Sequence, residues 1–169
     1  MSTSTKNIVI FGLRDLAEMA WYYLVENHKI DSSNPLPIAF TVDSEYITQD
    51  TFHNLPITPF ETLEQQYPPS EYDLFAPIAD NKRREMVYSV GKSKGYDFFT
   101  YISPQCTNYA SSIGENCFIL EDNTLQPFTT IGNNVILWSG NHIGHHGKIQ
   151  DHVFITSHVV ISGHCIVKN

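Results

Sequence analysis

Residues 131–167 read IGNNVILWSGNHIGHHGKIQDHVFITSHVVISGHCIV, and their period decides the fold. Stepping by six from Ile113 gives Ile119, Leu125, Ile131, Leu137, Ile143, Ile149, Ile155, Ile161 and Val167. Ile, Leu and Val fill about a fifth of ordinary positions, so ten such residues in register arise by chance about once in ten million. Helices repeat every 3.6 residues and strands every two; neither yields a strict six. A hexapeptide β-helix does. Each hexad forms one flat side of a triangular coil, three hexads close a turn, and residues eighteen apart stack in one column. Four places after each stripe residue stand Cys117, Asn123, Thr129, Val135, Asn141, Gly147, Val153, Val159 and Cys165, which suit a second, tighter inward slot. The stripe specifies a core and no chemistry.

Six histidines fall between His142 and His164. His146, His152, His158 and His164 each lie three places after an inward Ile, but only His146 and His164 share a column. One chain therefore cannot gather all four around one ion, and no metal site is expected. His145 has Gly163 as its column partner, about one strand spacing (~4.8 Å) away. An imidazole facing an approachable backbone N–H can act as a general base beside an oxyanion donor. Histidine suits that task, because its free pKa of about 6.5 lies near working pH. The alternative for His145 is a solvated polar residue.

Before Pro104 the pattern is different. The runs "NIVIFG" (7–12), "PIAFTVD" (37–43), "LFAPIA" (74–79) and "FFTYIS" (98–103) read as strands. "DLAEMAWYYLVEN" (15–27) and "DNKRREMVYSVGKSKG" (80–95) read as helices, the first opened by a capping box of Asp15 and Glu18. Glu45–Tyr72 reads as proline-rich loops around the short strand "PIT". Alternating strands and helices predict a parallel sheet. The expected fold is thus α/β plus all-β: a small parallel-sheet domain over 1–103, then a parallel β-helix over 104–169. Val167 opens a fourth turn two residues before the last residue, so the coil is expected to be incomplete.

The net charge of −8 with only ten basic residues argues against nucleic acid as a partner. Neither a membrane span nor a secretion signal is expected. Cys106, Cys117 and Cys165 form no CxxC pair and read as small buried residues of a reducing compartment, the cytoplasm.

"NIVIFG", "FTVD", "PIADNKRR" and "LWSGNHIGHHGKI…ITSHVVISG" together resemble the sugar acyltransferases that join a Rossmann-like domain to a left-handed β-helix. That family includes the bacterial UDP-4-amino-sugar N-acetyltransferases and the sialic acid O-acetyltransferases. The resemblance spans residues 6–169. It implies a left-handed coil, an acetyl-CoA co-substrate, a nucleotide-linked amino sugar as acceptor and a homotrimer. It also implies that His145 is the catalytic base and that the Gly163 N–H faces the thioester carbonyl. Relatives usually carry Asp or Glu directly after that histidine. Here His146 stands there, so Glu121, Asp122 or Asp151, of the same or of a neighbouring subunit, orients the base, or it works less assisted. Relatives often show a glycine-rich first turn, of which only Gly12 remains; Arg14 either binds phosphate or is exposed. Asp43, Asp80 and Asn81 lie at strand ends where the family holds its nucleotide-sugar, though Asp80 and Asn81 also suit helix capping. The part of the coil beyond residue 169 would carry much of the CoA site.

Two other readings remain. One is a metal-dependent hydratase of the hexapeptide carbonic-anhydrase type, needing three histidines to meet across a subunit boundary. The other is a nucleotide-sugar-binding protein without catalysis.

Overall fold

The run ended by Gly12 forms β1 (Asn7–Phe11), whose Ile8, Val9 and Ile10 are fully buried. Burial on both faces is what a central parallel strand requires. The helix α1 (Asp15–Ile30) turns Ala17, Ala20 and Leu24 inward, and β2 (Pro37–Val42) then pairs parallel with β1. The structure, a computed structural model, describes residues 6–169. Next, β3 (Thr51–Phe52) and β4 (Leu55–Pro59) form a hairpin in which Phe52 pairs with Leu55. The two residues between them, His53 and Asn54, have φ of 49° and 61°. Two successive left-handed residues make a type I′ turn, whose twist matches the strands.

On the other side of β1, β5 (Tyr72–Phe75) pairs parallel, completing the order β3-β4-β2-β1-β5. The expected strand to Ala79 stops at Phe75, two residues before Pro77, which has no N–H for a ladder. After it comes α2 (Asn81–Ser93). Val9, Phe11, Leu63, Leu74, Val87 and Tyr96 belong to the core of this unit. The capping box is not formed: Arg14 is the N-cap residue, no side chain caps α1, and the Glu18 carboxylate instead meets His53 Nε2 at 2.9 Å.

From Tyr101 onward the chain is a coil of three four-stranded parallel sheets. One stacks Tyr101–Ile102, Phe118–Ile119, Ile136–Leu137 and Phe154–Ile155. A second stacks Thr107–Asn108, Thr124–Leu125, His142–Ile143 and Val160–Ile161. The third stacks Ser112–Ile113, Thr130–Ile131, Lys148–Ile149 and Ile166–Val167. Leu125 over Ile143 and Ile131 over Ile149 show the eighteen-residue column. Ile119, Leu125, Leu137 and Ile143 are fully buried, as are Cys117, Asn123, Thr129 and Val135 in the second slot. The buried amides are satisfied by backbone: Asn123 Nδ2 donates to Leu120 O and Trp138 O, both at 2.8 Å.

The run 98–103 is not one sheet strand. Phe98 bridges to Leu74, whereas Tyr101–Ile102 already pairs with Phe118–Ile119 as the first rung of the coil. The chain divides into two compact units. One holds residues up to Ile78 with Met86–Phe99, the other Ala79–Glu85 with Thr100–Asn169. Among the described residues no helix is long and apolar enough to cross a membrane.

Candidate active site on the coil

From Ile113 to Ile161 every hexad turns its corner through a left-handed residue placed three after the inward one. Asn116, Asp122, Phe128, Asn134, Gly140, His146, His152, His158 and His164 all have φ between 53° and 77°. Asn, Asp, His and Gly are enriched in that region. Four of the six histidines therefore stand where the backbone favours their type, and columns divide their roles.

In one column Asn116 Nδ2 donates to Asn134 Oδ1 at 2.6 Å, and Asn134 Nδ2 meets His152 Nδ1 at 2.7 Å. The buried Arg84 donates from Nε to Asn134 O at 3.0 Å and from Nη2 to His152 O at 2.8 Å. His152 is thus part of a structural ladder. His158 lies over Gly140, where an added Cβ would come 2.6 Å from its Nδ1. The third column stacks Phe128, His146 and His164. The first two rings lie 4.7 Å apart and tilted by 33°, the last two 4.8 Å apart and nearly parallel at 11°.

His145 stands beside that stack. Its backbone N–H donates to Gln126 Oε1 at 2.9 Å, and its carbonyl accepts from the His164 N–H at 3.0 Å. The ring is held at Nδ1 by His146 Nδ1, 3.0 Å away. One of two facing imidazole nitrogens must donate and the other accept. If His145 carries that proton on Nδ1, its Nε2 bears a lone pair. The ring also lies against Gly163, where an added Cβ would sit 2.8 Å from both Cε1 and Nε2. Gly163 N has no acceptor among the described residues, and an added Cβ on Gly144 would collide with it. A pair of glycines thus leaves one backbone donor open next to one imidazole edge.

Within one chain the three carboxylates suggested by sequence have other places. Glu121 Oε1 accepts from Ser139 Oγ at 3.0 Å, Asp151 Oδ1 accepts from the Asn133 N–H at 2.7 Å, and Asp122 occupies a left-handed corner of another column. His146 fills the place itself, meeting His145 Nδ1 through an imidazole nitrogen rather than a carboxylate oxygen. Three imidazoles also converge within one chain: the ligand atoms of His145, His146 and His164 lie within 4.8 Å of one another, and all three residues are exposed.

The residues expected to hold a nucleotide-sugar are placed as follows. Gly12 ends β1 with φ of 114° and donates its N–H to Thr41 O at 2.8 Å. Arg14 is exposed at the N-cap of α1, and Asp43 follows β2. Asp80 caps α2, accepting from the Arg83 N–H at 2.7 Å, and Asn81 Oδ1 accepts from Arg84 Nη2 at 2.9 Å. Sequence reasoning left out Gln126 and Phe128, and it gave Gly144 and His164 no role in the site. Both of the latter carry a signal, since Gly144 precedes His145 and His164 shares the column of His146.

The family model described as bacterial transferase hexapeptide (six repeats) matches residues 110–145. The chain is similar in structure to WeeI from Acinetobacter baumannii at 17% identity and a TM-score of 0.79, covering 96% of this chain and 74% of that one. It is similar to the acetyltransferase domain of PglB from Neisseria gonorrhoeae, solved with acetyl coenzyme A, at 11% identity and a TM-score of 0.59, covering 97% and 93%. It is also similar to PerB from Caulobacter crescentus, solved with CoA and GDP-perosamine, at 13% identity and a TM-score of 0.56, covering 100% and 92%. A search of curated protein sequences gave no match. These likenesses are of fold, and they give the stacked parallel sheets the form of a left-handed β-helix.

Proposed function

We propose that the chain is an acetyl-CoA-dependent acetyltransferase that acts on the amine or hydroxyl of a nucleotide-linked sugar. The observation that carries this reading is the His145 imidazole held at Nδ1 by His146 and lying against Gly163, whose N–H has no acceptor among the described residues. It is supported by the fold shared with PglB and PerB, whose structures hold acetyl coenzyme A and CoA with GDP-perosamine.

In the proposed step His145 Nε2 takes the proton of the acceptor amine or hydroxyl as its nitrogen or oxygen attacks the thioester carbon. The Gly163 N–H stabilises the oxyanion, which collapses as the C–S bond breaks and CoA leaves as the thiolate. His146 Nδ1 accepts the hydrogen bond of the imidazolium that forms, the task a carboxylate performs in other His-based sites. The transfer needs no metal.

We read the five-stranded sheet as Rossmann-like and as the nucleotide-sugar platform. Gly12, Arg14 and Asp43 end its first two strands, where ligands bind in open α/β sheets. Asp80 and Asn81 are occupied at the start of α2, so their part is to shape that turn. A cytoplasmic homotrimer belongs to the same reading and is checked by sedimentation.

The test is a thermal-shift panel of UDP-, dTDP-, GDP- and CMP-sugars, followed by an assay of CoA release. A ligand at a hundred times its dissociation constant stabilises by about 2.7 kcal/mol. One nucleotide class is expected to stabilise the chain. His145→Asn is expected to keep that shift and to lose about 10²–10⁴ of the rate. Absence of both a shift and CoA release with every sugar sinks the reading.

A further inference from the structure

We propose that His145, His146 and His164 form a site for one late first-row divalent cation of the Zn²⁺, Co²⁺ and Ni²⁺ class, and that this cation silences His145. The ligand atoms of the three imidazoles already lie within 4.8 Å of one another. The facing nitrogens, His145 Nδ1 and His146 Nδ1, are 3.0 Å apart. Zinc–imidazole bonds of about 2.0–2.1 Å from both would subtend about 94°, and opening by about 0.3–0.4 Å would reach the tetrahedral angle. His164 completes the set by tilting from its stack on His146, where the rings are 4.8 Å apart, and from its edge contact with His145 at 5.1 Å. All three side chains are exposed, so an ion has a path in and the rings have room to turn.

Two features make this more than a chance grouping. The coil fixes the backbone beneath the rings: His146 and His164 occupy successive left-handed corners with φ of 59° and 63°, and the His164 N–H is bonded to His145 O. The three ligands are also all imidazole. Nitrogen donors without a carboxylate favour borderline transition ions over Mg²⁺ or Ca²⁺.

The consequence for catalysis rests on the function proposed above. A cation on His145 Nδ1 leaves that ring's proton on Nε2, the atom that receives the acceptor's proton in the transfer. Occupancy and turnover then exclude each other.

The experiment titrates CoCl₂ into the protein and follows the visible absorption of imidazole-bound Co²⁺, in wild type, His164→Asn and His158→Asn. Asn occupies the same corner at Asn116 and Asn134, so both substitutions suit the backbone; circular dichroism checks that they fold. Wild type is expected to saturate at one equivalent, His164→Asn to bind at least tenfold more weakly, and His158→Asn to titrate like wild type. No absorption in wild type, or an unchanged titration of His164→Asn, overturns the site. CoA release that persists at saturating Co²⁺ overturns the silencing. The spectral titration needs no turnover, so a failure of the acetyltransferase reading would show separately, as no CoA release from metal-free protein.

Discussion

At Gly163 a single methyl group decides where the His145 imidazole can lie. An added Cβ would be 2.8 Å from Cε1 and Nε2, closer than such atoms approach, while the backbone N–H stays in place. Gly163→Ala is therefore expected to move the base without deleting the donor. Misplacement by about 1 Å costs about 10²-fold, so kcat should fall by about that factor with the far-ultraviolet circular dichroism unchanged; an unaltered kcat would remove Gly163 from the mechanism. His146→Asn keeps a residue suited to the left-handed corner and removes the ring nitrogen that holds His145. A loss of about 10–100-fold in kcat is expected, the usual range for a group that orients a ligating or catalytic imidazole. The pairing of His145 with Gly163 was legible in the sequence because an eighteen-residue column follows from period alone. The reason for the other histidines was not. It lies in the sign of φ at each corner, and a strict period of six says nothing of it until the corner is built.

Among elements, the rungs are the part the sequence states most plainly, because every hexad must supply one inward apolar residue to a shared core. Ile143 is fully buried between Leu125 and Ile161. Ile143→Ala is expected to cost about 2–5 kcal/mol in urea-unfolding free energy. Asn123→Ala in the second slot would leave Leu120 O without its side-chain donor and the Asn141 N–H without its acceptor, at about 1–3 kcal/mol. A cost below about 0.5 kcal/mol for either would contradict the packing described. The hairpin of β3 and β4 escaped the sequence because His53–Asn54 lacks the glycine that marks most type I′ turns. The capping box failed for another reason. Its two residues were of the right type, but the helix begins one residue earlier than they require, and Glu18 finds His53 instead. Tyr101–Ile102 was legible as a strand and not as a rung, since two residues carry no period.

Over the whole molecule, buried acids and bases set how stability responds to alkali. Burial pushes the Cys117 thiol up to about 12 and the Cys106 thiol up to about 11, and raises Tyr96, whose hydroxyl donates to Tyr67 O. Burial lowers Arg84 to about 10, against the pull of Asp80. The signs oppose each other. A thiol whose folded pKa is raised contributes stability in full below its unfolded value near 9, and that contribution fades as pH rises toward 12. The lowered value of Arg84 carries the opposite sign, a contribution that grows only as pH rises through about 10. Cys117 isolates the first effect, because its column neighbours Val135 and Val153 show that valine fits the same slot. At pH 10 the ionised thiol of the unfolded chain favours unfolding by about 1.4 kcal/mol. Cys117→Val removes that contribution and leaves every other titrating group in place. Urea unfolding at pH 8 and pH 10 should show wild type losing about 1.4 kcal/mol more than the variant between the two. Equal losses would mean that the thiol titrates in the folded protein, and that the coil interior admits water at its first rungs.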